Sequence, residues 1–266
     1  MSDVTHKPGH DEIEASKAPL LEHLIELRQR LIYALMAVAA FFFVCFFFAK
    51  QIFNILVWPC IWAAGGPEKC TMIYTAPQEY LFVQIKLALF GAVFMAFPVI
   101  ANQLYKFVAP GLYKNEKQAF LPYLVATPVL FFLGSCVVYF LVMPMAMKFF
   151  IEMGQSATDG SIKIEMLSSV DKYLSLIMTL ILGFGLCFQL PVILTLLAKA
   201  GAVTSSSLQE FRRYAYVAIA AVAAVLSPPD PFSMIAMMLP TWALYEASIY
   251  AVKHYVETPK DDGDKS

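Results

Sequence analysis

The sequence predicts an all-α membrane protein with six transmembrane helices, and three observations lead there. Of its 266 residues, 59% are apolar and only 15% are charged, where a soluble domain is nearer half apolar and a quarter charged. Six apolar segments recur along the chain, most of them close to the roughly 20 residues that a helix needs to cross a hydrocarbon core about 30 Å thick. Lysine and arginine are also distributed unequally between the connections. Helices are the expected spanning elements because each satisfies its own backbone polar groups in lipid. The net charge of −1 gives no general attraction to nucleic acid.

A polar tail, residues 1–19, precedes a six-span domain at 20–256, and a second polar tail occupies 257–266. The first span, 31–49, holds nineteen residues without charge or proline. The second, 85–105, has Lys86 at its edge and Pro98 inside. The third lies within 120–147, uncharged for 28 residues but punctuated by Pro122, Pro128 and Pro144. The fourth, 173–198, is again uncharged and contains Gln189 and Pro191. The fifth, 214–226, has only thirteen residues before the Ser-Pro-Pro-Asp-Pro turn at 227–231. The sixth, 232–252, is interrupted by Pro240 and Glu246. Thirteen helical residues reach about 20 Å, well short of a core of roughly 30 Å. Such a mismatch is relieved by thinning the bilayer or by packing against other helices.

Six spans put both termini on one side. Lys50, Lys69, Lys86, Lys148, Lys163 and Lys172 fall on the opposite side, which leaves thirteen of the nineteen basic residues with the termini. The excess predicts cytoplasmic termini. No small-residue cleavage site follows the first apolar run, so that run is expected to be retained. The outer loops are then 50–84 and 148–172. The first contains IFNILVWPCIW, an apolar stretch broken by Pro59 that reads as a short interfacial helix, with Trp58 and Trp62 suited to that depth. Cys60 and Cys70 share this loop and are candidates to pair in an oxidising compartment. Their closeness in sequence leaves the pairing open. Cys45, Cys136 and Cys187 fall within spans and read as inert core residues.

Enzyme signatures are missing. There is no phosphate-cradling G-x-x-x-x-G-K-[ST], no H-E-x-x-H, no G-x-S-x-G and no C-x-x-C. The four histidines, His6, His10, His23 and His254, form no metal-ligand spacing. Neither a catalytic residue, a metal nor a cofactor is predicted, so any work done draws on an ion gradient or a partner. A secondary transporter for a small solute or ion is the alternative reading. It should carry inverted repeats and a polar pocket at the bilayer midplane, and the three-span halves share no obvious pattern.

The remaining signals are polar residues at membrane edges. In HLIELRQRL, residues 23–31, Glu26 and Arg30 stand four apart. Alone, they read as a helical ion pair on a solvated face, worth a few tenths of a kcal/mol. In KFVAPGLYKNEKQ, residues 106–118, Glu116 lies between Lys114 and Lys117 at the same edge. Glu246 is an ionisable residue inside a span and therefore either a functional candidate or a snorkelling, ion-paired structural one.

Four stretches, HLIELRQRL at 23–31, FVAPGLYKNE at 107–116, FGLCFQLPV at 184–192 and SPPDPFS at 227–233, resemble landmarks of TatC, the multi-span receptor subunit of the twin-arginine protein translocase. They occur in that family's order, and the resemblance covers about residues 20–256. It implies residence in a bacterial inner membrane and binding of twin-arginine signal peptides. It also implies export of folded proteins with the proton-motive force, in a hetero-oligomer with single-span TatA-type and TatB-type subunits that holds more than one copy of this chain. By motif position, Glu26 and Glu116 would receive the paired arginines, Phe107 would line the site and Arg28 would support it. A guanidinium is a planar fork that a carboxylate accepts bidentately, so such a pair favours arginine over lysine. Where several members carry a glutamate, this chain has Gln189, which hydrogen-bonds but carries no proton. Helix–helix bonding is the favoured role there. Partner docking is implied near Ser227, and Asp230 is expected to cap the sixth helix.

Overall fold

The computed structural model describes residues 8–108, 117–156, 168–227 and 231–256, with side chains described from Leu24 onward except at 108, 117–121, 154–156, 232 and 255. Helix α1 (Pro8–Phe47) begins within the stretch read as the polar tail. Proline is well placed at a first helical position because its missing N–H is not needed there. After α2 (Ala49–Ala64) come β1 (Met72–Ile73), α3 (Glu79–Val108), α4 (Lys117–Val137) and α5 (Met143–Ser156). Then follow β2 (Ser168–Ser169), α6 (Val170–Cys187), α7 (Leu190–Lys199), α8 (Ser205–Glu210), α9 (Arg212–Leu226) and α10 (Pro231–Ala251).

Five helical segments among the described residues are long and apolar enough to cross a membrane: Leu24–Phe47, Glu79–Phe107, Pro122–Met153, Val170–Lys199 and Ser233–His254. The last, at 22 residues, is the shortest of the five. Helix α9 supplies the sixth membrane helix. Its 15 residues reach about 22 Å, which confirms a short fifth span. Among the described residues the fold is helical apart from one small addition, a two-residue parallel ladder in which Met72 pairs with Ser168 and Ile73 with Ser169. Residue runs that short carry no period, so sequence patterning does not announce them.

Helix α6 is the centre. Ten of its residues are buried, from Val170 to Gly185, and the largest core cluster joins them to side chains of α2, α3, α5, α9 and α10. Two glycines let α4 and α6 approach. A Cβ on Gly134 would lie 2.8 Å from the Phe184 carbonyl oxygen, and one on Gly185 would lie 2.5 Å from the Phe131 ring. Phe131 has no slack, being fully buried and stacked on Phe97 with centroids 3.6 Å apart. On the other flank, Gly91 of α3 admits α1, since a Cβ there would stand 3.0 Å from the Cys45 sulfur.

The prolines are handled locally. Pro59, read from sequence as a break, sits inside a continuous α2. Proline cannot donate to the carbonyl four residues back, here Ile55. The Tyr139 hydroxyl donates to that carbonyl instead, at 2.8 Å. Pro144 is preceded by one π turn, Val138–Val142, in which the Met143 N–H reaches five residues back to Val138. A wide turn of this kind re-aims the helix where the ordinary ladder fails, and Tyr139 lies in it.

Candidate functional site

Glu26 and Arg28 lie on α1 just inside the start of its apolar segment. Leu24, Ile25, Leu27 and Leu31 are all exposed around them, which gives a carboxylate set in an apolar surface. Its side chain is 34% exposed and paired with Arg30, whose Nε donates to Oε1 at 2.9 Å and whose Nη2 donates to the same oxygen. The carboxylate therefore already holds a guanidinium, contributed from one turn away. Arg28 is exposed.

Helices α1 and α3 pack antiparallel, with Cys45 against Gly91. Counting sixteen residues back along α1 and forward along α3 from that contact sets Gln29, about one turn from Glu26, level with Phe107 near the C-terminal end of α3. That end carries Lys106 and the half-buried Phe107. Glu116 belongs to the segment joining α3 to α4 and lies outside the described residues, as do Lys114 and Asp230.

The other sequence candidates fall elsewhere. Gln189 sits at the break between α6 and α7, only 4% exposed. Its Nε2 donates to the Thr127 carbonyl of α4 at 3.0 Å and to Gly185 at 3.4 Å. Glu246 on α10 accepts from Arg212 at 2.8 Å and from the Tyr216 hydroxyl, so both donors come from α9. Those contacts tie the short helix to α10 beside Tyr245, whose hydroxyl bonds the Leu208 carbonyl at 2.8 Å. Ser227 is buried at the C-terminal end of α9, its hydroxyl returning to the Ala223 carbonyl at 2.7 Å. None of these three is drawn into the Glu26 neighbourhood.

At the opposite end of the bundle stands a carboxylate that the sequence reading passed over. Glu79, 8% exposed at the first position of α3, accepts from the Thr75 hydroxyl at 2.7 Å and from the Thr75 and Ala76 backbone N–H groups. Across the bundle it accepts from the Ser169 hydroxyl at 2.8 Å and the Asp171 N–H at 3.1 Å. Lys86 pairs with Asp171 beside it. Thr-Ala-Pro-Gln-Glu at 75–79 was a legible signal, because an acid reaching back to N–H groups three and four residues earlier is a helix-start device. Its reach to residues 169 and 171 was not legible. Cys60 and Cys70 are disulfide-bonded, with Cα atoms 6.0 Å apart, and close the loop just before β1. Among the free cysteines Cys45 is buried, but Cys136 is exposed on α4, contrary to its reading as a core residue.

The family model of the Sec-independent protein translocase protein (TatC) matches residues 22–240. A Sec-independent protein translocase protein TatC of Magnetococcus marinus is 46% identical over 234 residues, covering 88% of this chain and 83% of that protein. One of Aquifex aeolicus is 38% identical over 235 residues, 88% and 95% of the two chains. A solved crystal structure of the twin-arginine translocase receptor TatC superposes with a TM-score of 0.76 at 37% identity. It covers 87% of this chain and 98% of that one.

Proposed function

We infer that this chain, which belongs to the TatC family of Sec-independent protein translocase proteins, is the receptor and core subunit of a twin-arginine translocase. It works in a multi-pass state in a bacterial inner membrane, both termini cytoplasmic. With single-span TatA-type and TatB-type subunits it exports folded proteins on the proton-motive force.

One observation carries the site. Glu26 lies among exposed leucines and isoleucine and already binds a guanidinium, that of Arg30. An i,i+4 pair of partly exposed charges contributes only a few tenths of a kcal/mol, so it is an exchangeable lock. An arginine of a signal peptide replaces Arg30 on Glu26, the second arginine goes to Glu116, and the apolar part of the peptide lies along Leu24, Ile25 and Leu27. Phe107 forms the wall at the end of α3, and Arg28 positions without contacting the like-charged arginines. Ser227 and Asp230, at the far end of α9 and α10, belong to partner docking. Gln189 and Glu246 hold helices together, Glu246 through Arg212.

Photocrosslinking to a twin-arginine signal peptide tests this. Glu26→Gln and Glu116→Gln should each weaken crosslinking, and the double variant should abolish export while the protein still inserts. Arg30→Gln, which frees Glu26 of its internal partner, should raise crosslinking. Unchanged crosslinking and export in the double variant would remove these residues from the receptor site.

A further inference from the structure

Between α1, α2, α3 and α4 lies a half-open apolar cavity of about 480 Å³. Phe41, Phe48, Ile52, Phe94 and Phe132 form most of its wall. The two polar side chains in the wall are already satisfied, Ser135 by the Phe131 carbonyl at 2.9 Å and Tyr139 by the Ile55 carbonyl. Nothing there offers a water the two to four partners it needs, and apolar cavities of this kind stay dry and accept apolar ligands. The volume lies within the range of small-molecule sites.

The cavity is not isolated. Phe140, Tyr139 and Ile55 are shared with a shallower concavity under Trp58 and Asn54. Phe140 also lines a third, where Trp62, Pro144 and Met145 lead to the exposed Lys148. Over this path Trp58 stacks on Tyr139 at 6.1 Å and on Trp62 at 5.9 Å. Such amphipathic rings mark the depth where acyl chains give way to headgroups. Three neighbouring concavities that share Phe140 thus form a track from an apolar cavity, past an aromatic shelf, to a cation.

We propose that this track binds one anionic phospholipid of the leaflet on the α2 side, an acyl chain in the cavity and the phosphate beside Lys148. Charge selects the headgroup: the track ends at an exposed lysine beside an aromatic shelf, which suits a phosphate at the membrane interface. The assignment depends on the helices crossing a bilayer and is independent of the signal-peptide site.

The test uses the full chain in lipid nanodiscs, in a Trp242→Phe background that leaves Trp58 and Trp62 as reporters. Phosphatidylglycerol and phosphatidylcholine carrying brominated acyl chains serve as quenchers. Phosphatidylglycerol should quench in a saturable way, at about fivefold lower mole fraction than phosphatidylcholine, as one lysine near a membrane surface provides. Lys148→Gln should erase that gap while leaving saturation. Cys136→Phe, which puts a ring into the cavity from an exposed position, should erase saturation for both lipids. Quenching that rises linearly with mole fraction for both lipids overturns the site, as does a gap untouched by Lys148→Gln. Displacement of bound phosphatidylglycerol by a synthetic apolar helix, but not by excess unlabelled phosphatidylglycerol, would assign the track to a protein segment and equally overturn it.

Discussion

Removing one hydroxyl should reveal how α2 survives a proline at its centre. The Ile55 carbonyl has no N–H partner at Pro59 and takes the Tyr139 hydroxyl instead, at 2.8 Å. Tyr139→Phe keeps the ring and its stack on Trp58 and deletes only the donor. An acceptor left without its partner costs about 1–2 kcal/mol, which corresponds to a fall in melting temperature of roughly 3–6 °C on the scale of large soluble domains. The counterpart is Pro59→Ala, whose restored N–H can serve Ile55 within the helix. In that background Tyr139→Phe should cost only a few tenths of a kcal/mol, a coupling of about 1 kcal/mol in a double-mutant cycle. Unfolding in detergent, followed by a thiol-reactive fluorophore at the buried Cys45 in a Cys136→Ser, Cys187→Ser background, measures all four corners. Equal losses in the two backgrounds would refute the idea that the tyrosine replaces the missing backbone donor.

Gly185→Ala drives a methyl into the Phe131 ring, 2.5 Å away, and should destabilise by about 1–3 kcal/mol. Phe131→Leu in the same chain should recover much of that in the same melting assay, and a neutral Gly185→Ala would mean the α4–α6 crossing has slack. Glu79→Gln puts an amide NH₂ among groups that are all donors. Hydrogen exchange at Thr75, Ala76 and Asp171 should accelerate at least tenfold, with the middle of α6 unchanged; retained protection would remove Glu79 as the tie between the two loops. Inserting four leucines after Val222 lengthens α9 by about 6 Å and turns its end, whereas seven residues nearly keep the faces aligned. Signal-peptide crosslinking should persist in both, export should fall, and the four-residue insertion should fare worse. Normal export by both stable variants would show that neither length nor register of α9 matters.

What the sequence made legible was whatever rests on runs of one character. The six membrane helices follow from apolar stretches, and α9 was visibly short because charge and proline bracket it. Helix extents were less legible. Apolar counting started the second span at residue 85, yet α3 begins at Glu79, because a carboxylate satisfied by five donors can start a helix that composition alone would begin later. Pro59 misled in the opposite direction, since the tyrosine that rescues the helix lies 84 residues beyond the Ile55 carbonyl it satisfies. The candidate site was readable only in its parts. Glu26 and Arg30 are four apart in the sequence, but that α3 brings Phe107 to the same end follows from the Gly91 contact, a packing detail no local pattern carries. The translocase matches leave the solute-transporter reading without support.

The burial of α6 bears on how the protein is made. Helices α1 and α3 can close on each other through Gly91 as soon as both have left the ribosome. The partner of Phe131 and Gly134 on α4 is encoded some fifty residues later, at Phe184 and Gly185. Until those residues emerge, α4 must wait in lipid with its closest-fitting face uncovered. The wedge that completes the interior is threaded between helices inserted before it, and α9 and α10 then seal it from the other side. Biogenesis of this fold therefore proceeds from a paired rim toward its middle. Errors in late insertion should leave an intact rim around an unfilled centre.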